Sequence, residues 1–170
     1  MNSIVITADS SAKPAWWRRR LLEPVLAQLR NGISPDKIAF TIAMGAMLGI
    51  FPVIGTTTIL CLSAGFLLKL NQPVLHLVNY LVYPLELALI LVFIRMGELL
   101  YHAQEIPFAI PEMLTLFHAA PVRFFREFAM TFVHCISAWL LVAPPGTALI
   151  YYSLRPALNI AARGVPVEKP

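Results

Sequence analysis

From Ile38 to Leu68 the chain carries no charged residue. As one straight helix that stretch is ~46 Å long, against a bilayer hydrocarbon core of ~30 Å. The pattern predicts a break, and Phe51-Pro52-Val53-Ile54-Gly55 is where it falls. Pro52 removes a backbone donor and Gly55 permits a reversal. The arms, 38–51 and 53–68, are ~21 and ~24 Å long as helices. Each is short for a crossing, so a re-entrant hairpin over 34–69 is expected, with two thin crossings as the alternative. Ser34-Pro35-Asp36 is a helix start, and Lys69 with Asn71-Gln72-Pro73 forms the next turn. Residues 73–94 then make a span of ~33 Å, closed by Arg95. Residues 95–127 mix Glu98, Glu105, Glu112 and Glu127 with Arg95, Arg123 and Arg126 and are cut by Pro107, Pro111 and Pro121. They read as an external amphipathic segment of short interfacial helices. Residues 128–154 are again without formal charge, interrupted at Pro144-Pro145-Gly146 and ended by Arg155-Pro156.

The flanks complete the plan. Residues 1–14 are polar, lack a signal-peptide layout and read as a mobile tail. Trp16-Trp17-Arg18-Arg19-Arg20-Leu21-Leu22 lies in 15–31, expected as an amphipathic helix on the membrane surface. A water-facing linker helix is the alternative. The membrane domain is 32–156 and the C-terminal tail 157–170. Composition agrees: 58% of the 170 residues are hydrophobic and 13% charged, with a mean hydropathy of +0.72. Soluble domains run near ~25% charged. The expected fold is all-α and polytopic, with a broken helical hairpin and two further interrupted transmembrane helices. Lys13, Arg18, Arg19, Arg20, Arg30 and Lys37 precede the first apolar stretch. The positive-inside rule therefore places both termini and the 69–73 turn in the cytoplasm. The net charge of +4 flanks apolar segments, which suits anionic lipid as partner and argues against nucleic acid.

Few residues carry chemistry. Cys61 and Cys135 sit in apolar runs as small hydrophobes. Glu86 lies deep in the 73–94 span, where a carboxylate costs ~2.5 kcal/mol or more, so it is a functional candidate. It reads either as a proton relay or cation site, with His76 and His134 as partners, or as a neutral acid bonded to the Tyr80 carbonyl that Pro84 frees. Gly55-Thr56-Thr57-Thr58 opens the second arm, where hydroxyls can cap free amides and a helix N-terminus attracts anions. Gly146-Thr147 repeats that chemistry. Paired interruptions point to a transporter-like site, so Pro52, Gly55, Thr56, Thr57, Thr58, Glu86, Gly146 and Thr147 form the candidate ligand site, around a small polar cavity. Gly45 and Gly49 form a small-residue packing face, expected to meet Ser63, Ala64 and Gly65 of the second arm, with homo-oligomerisation as the alternative. No catalytic motif, metal-ligand spacing or cofactor fingerprint is present, so no enzyme, metal or cofactor is expected, with intramembrane acid–base chemistry at Glu86 as the last-ranked alternative.

Gly49-Ile50-Phe51-Pro52-Val53-Ile54-Gly55-Thr56-Thr57-Thr58, Asn71-Gln72-Pro73, Tyr83-Pro84-Leu85-Glu86 and Gly97 together resemble the bacterial integral-membrane family catalogued as domain of unknown function 2062. The resemblance covers roughly residues 25–155. Pro52, Gly55, Thr58, Asn71, Pro73, Pro84 and Gly97 match its pattern. Gly49 is offset by one residue from some members. Thr57 stands where Gln is usual, Tyr83 replaces an Asn and Glu86 replaces a Thr. The resemblance implies a small membrane protein of bacteria, in some members joined to a glycosyltransferase, and it implies no activity; the expected location is the bacterial inner membrane. The expected function is binding or translocation of a small or lipid-linked anion. The alternative is a non-catalytic scaffold for a cell-envelope enzyme such as a glycosyltransferase.

Overall fold

In a computed structural model of the chain, residues 33–103 and 117–163 are described, with Ala27 and Thr115. The expected tail over 1–14, nearly all of the surface helix over 15–31 and the C-terminal residues 164–170 lie outside these. Among the described residues the fold is all-helical, with four main helices.

Helix α1 spans Pro35–Gly49. The Ser34 hydroxyl accepts a hydrogen bond from the Lys37 amide, Pro35 fills the first turn, and Asp36 adds negative charge where the helix dipole is positive. After Ile50 the chain leaves helix until α2, Thr57–Leu67. Within the break the Val53 amide donates to the Phe51 carbonyl at 2.8 Å, a three-residue turn. Gly55 has φ +84°, a conformation that side chains resist. Helix α2 is ~16 Å long and ends in a left-handed Lys69 at φ 52°. There the Leu70 amide donates back to the Gly65 carbonyl at 2.9 Å.

Helix α3 spans Gln72–Tyr101. Asn71 caps it by accepting from the Val74 amide at 3.1 Å. The expected span closed at Arg95, but the helix continues two turns further. Arg95 bonds Glu98 at 2.8 Å along the same helix, so its charge is accommodated without a break. The helix stops at His102, whose left-handed φ of 51° closes a terminal turn. Helix α4 spans Pro121–Arg163. The expected external segment 95–127 is thus divided. Its first residues extend α3 and its last open α4, with Pro121 in the first turn where proline is favoured. Residues 104–114 lie outside the described part.

The expected interruption at Pro144-Pro145-Gly146 is absent, and Pro156 does not end the helix either. Proline's φ is helical; what it removes is a backbone hydrogen bond. Contacts with α1 on both sides hold α4 in register across the gap. The Trp139 indole N–H donates to the Met47 carbonyl at 2.9 Å, and Tyr151 meets Phe40 edge-on. Arg155 binds both Asp36 carboxylate oxygens, at 2.7 and 3.3 Å. These pairs run in opposite directions along the two helices, so α4 is antiparallel to α1. Pro84 likewise sits inside an unbroken α3.

Gly45 and Gly49 face α3, not the second arm. A Cβ on Gly45 would lie 2.9 Å from the Leu75 carbonyl oxygen. One on Gly49 would lie 3.1 Å from the Asn79 Cα and would collide with Val82. Of the residues expected to meet them, Gly65 instead packs on Gln72 at the α2–α3 turn. The core gathers Met47, Leu48, Leu75, Phe93, Cys135 and Trp139 from α1, α3 and α4.

Candidate functional site

The break places its polar residues unevenly. Pro52 and Thr57 are buried, while Gly55 and Thr58 are exposed. Thr56 occupies the N-cap position of α2 but makes no side-chain cap. Its hydroxyl instead donates to the Val53 carbonyl at 2.7 Å, tightening the loop. The expected capping of α2 by this hydroxyl is therefore not made. Its helical backbone (φ −94°, ψ −18°) departs from the extended form that aims a cap side chain at the first amides.

The break and Thr147 line different clefts. Pro52, Val53 and Ile54 line one cleft of about 440 Å³, against Ile90 and Ile94 of α3 and the Phe124, Phe128 face of α4. Thr147 lines another, of about 500 Å³, between α1 and α4. Its walls are Phe40, Met44, Met47, Trp139 and Tyr151, so Thr147 is a polar residue in an apolar cleft. Gly146 lies behind Met47, whose thioether would be 2.9 Å from an added Cβ. The antiparallel course of α4 explains the separation. Pairing Asp36 with Arg155 draws residue 147 toward the middle of α1, away from the break at its end. The expected small polar cavity is replaced by two apolar clefts.

Glu86 is 1% exposed, and its Oε1 has no hydrogen-bond partner among the described residues. Neither the Tyr80 carbonyl nor a histidine meets that oxygen. His76 is half-buried on the same helix. His134 stacks on Tyr101, ring centroids 4.4 Å apart, and Tyr101 donates to the Ser137 hydroxyl at 2.9 Å. Among the described residues no group of three or more His, Cys, Asp or Glu is placed to hold a metal ion.

Two residues share Glu86's condition and were overlooked in the sequence. Asn79 is 4% exposed with an unpartnered Oδ1, and Gln72 has a buried, unpartnered Oε1. Gln72, Asn79 and Glu86 are seven residues apart. Seven residues return a helix to within ~20° of the same direction, so they lie in line along α3. Polar side chains at that interval in an apolar run were the available signal.

Residues 15–164 match the family described as "Uncharacterized protein conserved in bacteria (DUF2062)". The chain belongs to this family. The DUF2062 match takes in all four helices, the break, both clefts and the α3 line. No curated protein and no solved structure matches the chain.

The outer surface of this DUF2062 protein is as informative as its interior. Two helical stretches, Gln72–Tyr101 and Phe128–Arg163, are long and apolar enough to cross a membrane. In each, only 22% of the hydrophobic window is buried within the molecule. Leu81, Leu85, Leu91, Leu99, Leu141 and Leu149 all face outward. Scattered exposed leucines are ordinary; rows of them along both of the longest helices are the kind of surface that a lipid-facing helix presents.

Proposed function

We propose that this protein is a non-enzymatic, multi-pass component of the bacterial inner membrane that binds a lipid-linked anion. The α1–α4 cleft carries this reading. Its apolar walls suit a hydrocarbon chain, with Trp139 at one end and Tyr151 and Tyr152 at the other. Over that interval α4 rises ~18–20 Å. One turn past Tyr151 stands Arg155, half-exposed and using only part of its five-donor guanidinium on Asp36. Tyrosines at headgroup level with an arginine just beyond them match the chemistry of an interface facing an anionic headgroup. A free small anion suits this cleft less well, because it would leave the apolar wall unused.

The same pairing supports the sidedness. Asp36 and Arg155 bring the start of α1 and the end of α4 to one level. The positive-inside rule makes that level cytoplasmic, with both termini on it. Helices α1 and α2, ~22 and ~16 Å long, suit a re-entrant hairpin whose Pro52 tip is covered by α3 and α4. The test is native mass spectrometry of the full chain extracted without added lipid. One anionic lipid per chain is expected in the wild type. It should be lost in Ala148→Trp, which puts an indole into the cleft that Ala148 lines, and diminished in Arg155→Gln. Identical lipid retention in the wild type and Ala148→Trp would refute the reading.

A further inference from the structure

All three orphaned atoms on α3 are oxygens. For Gln72 the assignment is fixed by its neighbour: the amide nitrogen donates to the Leu62 carbonyl at 3.1 Å, and a carbonyl can only accept. Oε1 is therefore an acceptor with nothing to accept. Asn79 Oδ1 and Glu86 Oε1 are likewise buried and without a partner. Buried acceptors do not stay unpartnered without cost. What the line lacks is donors, and an apolar ligand supplies none.

The line also has two unlike ends. Gln72 opens it at the α2–α3 turn, three residues past exposed Lys69, with His76 one turn further along α3. Seven residues past Glu86 the next position is Phe93, 3% exposed and part of the core. Between them, Gly49 of α1 lets the α1 backbone come close against the Asn79 amide. A Cβ there would lie 3.1 Å from Oδ1. From Gln72 to Glu86 the line is ~21 Å long.

We propose that this line is a one-sided proton well. Water and the hydrated proton occupy the Gln72, Asn79 and Glu86 oxygens and connect Glu86 to the membrane face bearing the α2–α3 turn, and Phe93 closes the far end. A proton arriving as hydronium joins the Glu86 carboxylate and leaves water behind. The site is separate from the α1–α4 cleft and stands whether or not that cleft binds lipid.

Infrared difference spectroscopy of the full chain in lipid vesicles tests it. The wild type should show a carboxylic C=O stretch that is missing in Glu86→Gln and shifts on transfer to deuterated buffer. Asn79→Leu and Gln72→Leu should each slow that shift at least tenfold. The near-ultraviolet dichroism of Trp139 checks that each variant is folded, and either variant suffices if the other is not. An unchanged exchange rate in a folded variant would overturn the proposal. So would a wild-type band that never exchanges, or one that sodium ions abolish at constant pH, which would make the line a metal-cation site.

Discussion

Replacing Gly49 by alanine sets two effects of opposite sign against each other. In a helix interior alanine is favoured over glycine by ~1 kcal/mol, so a loosely packed α1 would gain stability. The structure predicts a loss. The new methyl would lie 3.1 Å from the Asn79 Cα and inside contact with the Val82 Cγ2. A β-branched side chain on a helix has little rotamer freedom to withdraw, and the Asn79 backbone has none, so α1 and α3 must separate. Overpacking of this kind costs ~1–3 kcal/mol; with both a backbone atom and a stiff side chain in the way the cost falls in the upper part of that range, which leaves a net destabilisation of up to ~2 kcal/mol after the propensity gain. Reversible unfolding in mixed micelles, followed through the Trp139 near-ultraviolet signal, measures it. Val82→Ala in the same background should recover part of the loss and expose a coupling of ~0.5 kcal/mol or more between the two positions. A Gly49→Ala variant more stable than the wild type would refute the close α1–α3 approach.

Three further outcomes are expected in the same assay. Trp139→Phe keeps the edge-on packing with Phe51 but removes the donor on the Met47 carbonyl, for a loss of ~1–3 kcal/mol; its unfolding is followed by far-ultraviolet dichroism because the variant lacks Trp139, and an unchanged midpoint would mean that this bond is not made. Lys69→Gly relieves a left-handed backbone at φ 52° and should stabilise by up to ~1 kcal/mol, so a destabilised variant would contradict the terminal turn of α2. Pro144→Ala restores an amide facing the Leu140 carbonyl in a continuous α4 and should stabilise by ~1–3 kcal/mol; destabilisation would indicate that the helix is interrupted there after all.

How much of this was legible in the sequence depends on the range of the rule involved. The starts of α1 and α3 follow from Ser34-Pro35 and Asn71-Gln72-Pro73, because capping is decided within four residues. The break at Pro52 and Gly55 follows from a length argument that needs no tertiary contact. Pro144-Pro145-Gly146 contains the same residue types as the break, yet it stays helical. The difference lies outside the local sequence, in the α1 contacts at Trp139, Tyr151 and Arg155 that hold α4 straight. Arg95 misled for the opposite reason, a local one: its partner Glu98 is three residues along the same helix, so the charge does not have to end it. The sequence identified Gly45 and Gly49 as a small face but not which neighbour would use it. A hairpin makes the second arm the obvious partner, whereas the structure assigns α3.

The candidate site moved for a topological reason. Matching proline-glycine-threonine stretches suggested two breaks facing each other, and that geometry requires both stretches to reach the same depth. The Asp36–Arg155 pair forbids it, because antiparallel helices tied at one end place Thr147 beside the middle of α1 and leave the break to meet the start of α4. Glu86 survived the change because its standing came from a different argument, the cost of an acid among apolar residues, which is independent of what lies opposite. The structure adds company rather than a partner: Asn79 and Gln72 at heptad intervals, each lacking a donor. Among the described residues the buried, unpartnered oxygens therefore lie along α3, while the apolar clefts open between α4 and its neighbours. A ligand that uses the cleft and a proton that uses the line would meet different side chains, so mutations in one should leave the other's readout intact.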